Sequence, residues 1–163
     1  MNMDFDKELR FREVTEGDQE LLLEWANEKE TRRQSFQMHR ITIEEHNQWF
    51  QRVIRDSNIR ILILCFGETP AGNIRFSIDG GCAELSYSVD CRYRGQGFGK
   101  ELIKMAVAYA DEHLKVSSLQ AKTKRDNLAS QRILISNGFQ LVEHLSGQEE
   151  LTFLKSLHNP VCL

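Results

Sequence analysis

The chain has 163 residues, 40% of them hydrophobic and 28% charged, with a formal net charge of −3. This is one domain's length, 1–163, with material for a sizeable core, and the slight acidity excludes the electrostatic signature of a nucleic-acid or anionic-membrane partner. Cys65, Cys82, Cys91 and Cys162 form no C-x-x-C pair and no metal spacing, and read as thiols in a reducing cytoplasm.

Met1 to Arg10 is charged, has no apolar centre and does not read as a signal peptide. Leu9 to Val14 alternates apolar and charged residues and predicts a first strand. Thr15 with Asp18 caps a helix whose apolar face is Leu21, Leu22, Trp25 and Ala26. Glu30 to Arg40 breaks the pattern and reads as irregular with a helical turn. Thr42 and Glu45 form a capping box ahead of a second helix carrying Ile43, His46, Trp49, Phe50, Val53 and Ile54. His46 falls on its apolar side, where a packed histidine is the simpler reading. Ile59 to Phe66 is a near-continuous apolar run, so a strand covered on both faces. Ala71 to Ile78 and Cys82 to Val89 flank the hairpin signal Asp79-Gly80-Gly81. Phe98 to Leu114 follows the helical period, Val116 to Lys122 is a strand, and Leu128 to Asn137 a short helix closed by Gly138. Phe139 to His144 and Glu150 to Leu157 complete a mixed α/β sheet. No apolar run approaches the ~20 residues that span a bilayer.

Between the Cys82 strand and the long helix lies Arg94-Gly95-Gln96-Gly97-Phe98-Gly99-Lys100. Glycines at a helix start let backbone N–H groups approach an anion, and the helix dipole favours negative charge. A dinucleotide fingerprint fails because its third glycine position is Lys100, and a P-loop fails at Arg94 and at Glu101. A glycine-rich turn without a ligand stays open on the loop alone.

Arg94-x-x-Gly97-x-Gly99, followed downstream by Asn127-Leu128-Ala129-Ser130 and Asn137-Gly138-Phe139, resembles the two signatures of the GCN5-related N-acetyltransferases (GNAT), and the element order matches over nearly the whole chain. The resemblance implies a six- to seven-stranded, mostly antiparallel mixed sheet flanked by about four helices. It implies acetyl-CoA as co-substrate, without a metal, and transfer to a primary amine by direct attack in a ternary complex. Gly95, Gln96, Gly97, Phe98, Gly99 and Lys100 would offer backbone donors to the pyrophosphate, with Arg94 and Lys100 adding charge. The strand before the loop would carry a bulge and splay from the next strand, so that Val89 bonds pantetheine; a plain core residue is the alternative. Asn127 and Ser130 would meet the cofactor from the other side.

Glu84 shares a strand face with Ser86 and Ser88 and is the candidate base, acting through water; a solvent-facing glutamate is the alternative. Many relatives carry a tyrosine seven residues after the signature asparagine as acid for the thiolate. Here that residue is Leu134. Water, or a hydroxyl of Tyr87, Tyr93 or Ser130, would have to serve, or turnover would be lost.

Trp25-x-Asn27, Arg32 and the stretch from Ile41 to Phe50 resemble the subgroup related to ribosomal-protein N-terminal acetyltransferases, and within it enzymes acetylating a nucleotide-linked deoxy-aminosugar, as in pseudaminic-acid-type pathways. Arg32, Arg33, His39 and Arg40 around Phe36 suit a nucleotide diphosphate, with charge for phosphates and a ring for stacking; a solvated basic loop is the alternative. The expected partner is a small-molecule amine, with no nucleic acid and no membrane, for a monomer or homodimer. A peptide N-terminal acetyltransferase and an acetyl-CoA-binding module without turnover are the competing functions.

Overall fold

The computed structural model describes residues 4–158. A helical turn, α1 (Phe5–Glu8), precedes β1 (Leu9–Glu13). Then come α2 (Gln19–Asn27), α3 (Lys29–Gln34), α4 (Ile43–Val53), β2 (Ile59–Phe66), β3 (Thr69–Asp79) and β4 (Cys82–Val89). The second half runs α5 (Phe98–His113), β5 (Ser118–Lys124), α6 (Leu128–Ser136), β6 (Gln140–Leu141) and β7 (Glu150–Ser156). The strands form one sheet in the order β1-β2-β3-β4-β5-β7-β6. Only β4 and β5 pair in parallel, because α5 carries the chain back across one face between them.

Two cores lie on opposite faces of the sheet. On one, α5 and α6 bury Leu102, Ile103, Ala106 and Leu134 against Leu62, Leu64, Ile74, Phe76, Leu85 and Leu119. On the other, α2 and α4 bury Leu22, Trp25, Phe50 and Val53 against Ile61, Ile63 and Cys65. β2 feeds both, which is why its run is apolar without alternation. The second cover extends over β1, β2 and part of β3 and leaves the polar residues of β3, β4 and β5 open. His46 is buried and donates Nε2–H to the Gln19 carbonyl at 2.8 Å, with burial pushing its pKa down. It is a packing residue joining α4 to α2.

Local signals set most boundaries. The Thr42/Glu45 box closes reciprocally at 3.2 and 2.9 Å. Gly138 takes φ +85° after α6, and Phe139 N–H reaches back to the Leu134 carbonyl at 3.1 Å. Three expectations change. β5 begins at Ser118 rather than Val116, which is buried in the core before the strand. The strand expected over Phe139 to His144 shrinks to Gln140–Leu141. Beyond it Ser146 Oγ donates to the Val142 carbonyl and Thr152 Oγ to the Leu145 carbonyl, holding the chain in a tight turn over Glu143–Leu145. The bulge expected in β4 is absent against β3, whose register runs unshifted from Gly72↔Val89 to Asp79↔Cys82. No helix among the described residues is long and apolar enough to cross a membrane. Cys65, Cys82 and Cys91 are free thiols; Cys162 lies outside the described residues.

Candidate active site

β4 and β5 pair only over Cys82–Leu85 and Ser118–Ala121, and then part. β3 stays on β4 as far as Val89, and β7 stays on β5 as far as Lys124, so the sheet opens between two halves that remain paired within themselves. The Asp90 N–H bonds the Ala71 carbonyl at 2.8 Å, which makes Gly72/Val89 the non-hydrogen-bonded pair. Val89's N–H and C=O therefore turn away from β3, toward the opening. The carbonyl accepts Arg94 Nε at 3.1 Å.

Past Val89 the chain is fastened before it forms the glycine loop. Asp90 is buried and accepts Trp25 Nε1–H at 2.8 Å, Arg92 N–H at 2.9 Å and the Arg92 guanidinium at 3.0 Å. The Arg92 hydrogen bond, with Trp25 adding to it, holds its carboxyl down at about 2 against the opposing effect of burial. Gly97, at φ +89°, is the N-cap of α5. Glu101 N–H closes the first helical bond, on the Gly97 carbonyl at 3.2 Å. The N–H groups of Phe98, Gly99 and Lys100 thus form an open first turn with the positive end of the dipole. The Phe98 ring is buried under Phe5, Phe66 and Tyr93 and anchors that turn. A Cβ on Gly99 would stand 2.8 Å from Ile133 Cδ1, so the glycine allows α6 to lie close. Gln96 is exposed and donates Nε2–H to the Arg92 carbonyl at 3.0 Å; Gly95 and Lys100 are exposed.

Arg94 does not offer its charge to the loop. Its Nη2 meets Glu28 Oε2 at 2.8 Å and Thr31 Oγ at 3.1 Å, besides the Nε bond to Val89. Glu28 also caps α3, accepting from the N–H groups of Glu30 and Thr31. At the other end of α3, Lys124 Nζ donates to the Arg33 carbonyl at 2.7 Å. The short helix is therefore tied to the end of β4 through Arg94 and to the end of β5 through Lys124, across the mouth of the splay.

The basic stretch is likewise partly committed. Arg32 donates to the carbonyls of Ala26, Gln37 and His39 and to Ser35 Oγ, so it shapes the loop instead of clamping a phosphate. Arg33 pairs bidentately with Glu30 at 2.9 and 2.7 Å. His39 Nε2 is 3.9 Å from Glu45. Phe36 and Arg40 are exposed, and Arg40 makes no hydrogen bond or ion pair among the described residues.

Glu84 is exposed on the paired part of β4, with Gln120 Nε2 at 3.4 Å. It shares its face with Ser86 and Ser88, and Ser88 Oγ accepts Asn73 Nδ2–H at 2.9 Å. Asn127 caps α6, its Oδ1 accepting Ser130 N–H at 3.2 Å while its Nδ2 makes no bond among the described residues. Ser130 Oγ lies 2.7 Å from the Tyr87 hydroxyl. Burial pushes Tyr87 up to about 12, against the Ser130 hydrogen bond. Leu134 is fully buried in the core. Two buried polar atoms lack partners among the described residues: Gln34 Oε1, on the helix across the mouth, and Thr123 Oγ, on β5 past the last residue paired with β4.

The acetyltransferase (GNAT) domain model matches residues 8–140. The chain belongs to the GNAT acetyltransferase family. It is 24% identical over 133 residues to acetyltransferase PseH of Campylobacter jejuni, covering 82% of this chain and 83% of PseH. Among solved structures, spermidine N-acetyltransferase of Vibrio cholerae, in complex with CoA and spermine, matches with a TM-score of 0.84 at 16% identity, covering 93% of this chain and 97% of that one. The ribosomal L7/L12 alpha-N-protein acetyltransferase RimL, in complex with CoA, matches with a TM-score of 0.79 at 16% identity, covering 93% and 95%. The GNAT chain is thus an acetyl-CoA-dependent N-acetyltransferase. The open turn at Phe98–Lys100 and the Val89 backbone turned toward the opening fit a pyrophosphate and an amide-bearing arm.

Sequence reasoning missed Glu28, Lys124 and Arg75. Glu28-x-x-Thr31 carried a helix-start signal, and Arg75 sits in the polar alternation Asn73, Arg75, Ser77; the partner of Lys124 is a backbone carbonyl, which no sequence pattern marks.

Proposed function

We propose that the acceptor is a small amine that also carries negative charge, such as the amino group of a nucleotide-linked deoxy-aminosugar. The observation that carries this reading is the charge of the open sheet face. Arg75 on β3 and Lys122 and Lys124 on β5 share it with Glu84, while Asp79 sits at the distant hairpin end. Two carboxylates beside the opening that would suit a polyamine or a basic peptide are neutralised: Glu28, the N-cap of α3, by Arg94, and Glu30 by Arg33. The resemblance of Trp25-x-Asn27, Arg32 and the stretch from Ile41 to Phe50 to enzymes acetylating a nucleotide-linked deoxy-aminosugar leans the same way.

Acetyl-CoA supplies the acetyl group as an activated thioester. The open N–H groups of Phe98, Gly99 and Lys100 hold its pyrophosphate and Val89 orients its arm, with Asn127 Nδ2 on the opposite wall. Glu84 takes the amine proton through water on the face shared with Ser86 and Ser88. The Tyr87–Ser130 hydroxyl pair, with Ser130 one turn of α6 before Leu134, is the protein group available to hand a proton to the departing thiolate.

The test is a thiol-release assay with acetyl-CoA and three acceptor sets: UDP-linked amino-sugars, N-terminal peptides and spermidine. Turnover is expected with the first set, inhibited by UDP. Turnover with peptides or spermidine and none with any nucleotide sugar would overturn the assignment.

A further inference from the structure

Arg75 lies in the middle of β3 on the open face. Its cross-strand neighbours there are Ile61 on β2 and Ser86 on β4. It is half-buried, and its guanidinium lies over the Trp49 ring, 5.6 Å from the centroid. A guanidinium has five N–H donors and no acceptor. None of the five meets a hydrogen-bond acceptor among the described residues. The other arginines withdrawn from solvent are all bonded: Arg12 to Asp18, Arg32 to three carbonyls, Arg60 to the Tyr109 hydroxyl and Arg94 to Glu28. Burial pushes the Arg75 pKa down, and Glu84, one row away on the sheet, opposes that without forming an ion pair.

A stacked, desolvated and unpartnered guanidinium is an unfinished interaction. Leaving such a group without an acceptor is costly, and an anion arriving from solution would remove that cost. Its surroundings select the anion. The next residue on this face of β4 is Ser86, a hydroxyl donor, and the corresponding residue on β5 is Lys122, exposed and without a partner among the described residues. Arg75 and Ser86 thus make a row of donors on paired strands, with Lys122 the first residue of the same face past the last β4–β5 pair, where the sheet begins to open. The row of Ser77, Glu84 and Gln120 lies beside it, roughly 7 Å along the strands. A planar fork beside an ammonium and a hydroxyl suits a phosphate with several oxygens to share.

We propose that Arg75, seated on Trp49, is the anchor for a phosphate of the acceptor substrate, with Ser86 and Lys122 completing the site. This rests on the anionic-acceptor reading above and gives it an address. The acceptor's phosphate and its amine would occupy adjacent rows of one sheet face, so the anchor sets which amine reaches Glu84.

The test uses the full chain saturated with coenzyme A, so that the cofactor loop is filled. UDP, inorganic pyrophosphate and citrate are titrated by calorimetry and by tryptophan fluorescence. Trp49 lies under Arg75, whereas Trp25 is buried and bonded to Asp90, so a change on binding reports Trp49. UDP and pyrophosphate are expected to bind. In Arg75→Met their affinity should fall tenfold or more, in Arg75→Lys it should recover in part, and coenzyme A affinity should stay as in wild type. Ser86→Asp, on the exposed strand face, serves if Arg75→Met does not fold. It sets a carboxylate beside the guanidinium and should weaken UDP to a similar degree. Unchanged UDP affinity in these variants overturns the anchor while leaving a nucleotide acceptor in place. Arg75-dependent binding of citrate alone overturns both the phosphate assignment and the nucleotide reading. Absence of all three anions from wild type overturns the anchor and the anionic-acceptor reading together.

Discussion

Asp90 connects the two halves of the site, so its removal is the most informative perturbation of the scaffold. It follows Val89 directly, and its carboxylate joins α2 through Trp25 and the loop through Arg92. Its pKa of about 2 stands against an ordinary 3.8. At 1.36 kcal/mol per unit, that difference is about 2 kcal/mol of stability from the ionised form. Because the folded pKa is the lower one, the stabilisation is full above the ordinary value and is lost as pH falls from about 4 towards 2. Asp90→Asn removes the charge and turns an amide toward donors that need an acceptor. It should cost about 2 kcal/mol at pH 7, or roughly 4–8 °C in Tm for a domain of this size. The assay is paired urea unfolding of wild type and variant at pH 7, 5 and 3. The difference should hold between pH 7 and 5 and shrink at pH 3. A penalty below about 0.5 kcal/mol at pH 7, or one that does not change between pH 5 and 3, would refute the reasoning.

Three further outcomes are expected. Glu84→Gln should lower kcat by about 10²–10⁴-fold with acetyl-CoA affinity unchanged; wild-type kcat would remove Glu84 from the mechanism. Gly97→Glu should abolish acetyl-CoA binding in calorimetry, because a side chain at φ +89° is strained and its charge opposes the pyrophosphate; retained binding would sink the loop assignment. Leu134→Tyr places a larger, hydroxyl-bearing side chain in a fully buried position and should lower stability by about 1–3 kcal/mol in urea unfolding without raising kcat. A gain in kcat would show that the family's acid position is still open to the cleft.

The parts of this protein that depend on local chemistry were legible in its residues. The apolar run Ile59–Phe66, the Thr42/Glu45 box, the glycine loop before Phe98 and the Asn127 cap each act through neighbours a few positions away, so strand, helix start, cradle and family could be read without coordinates. What depends on partners far along the chain could not. Arg94 looked like a cradle cation until Glu28 was found beside it. Arg32 looked like a phosphate ligand until the carbonyls of Ala26, Gln37 and His39 took its donors. A cation's role follows from the first acceptor it meets, and that acceptor is chosen by packing. By itself the sequence determined the family, most of the sheet's elements and the glycine loop that opens α5. Only the tertiary structure decided which charges remain to act there, because each ion pair that closes removes a residue from the site and leaves another, here Arg75, without a partner.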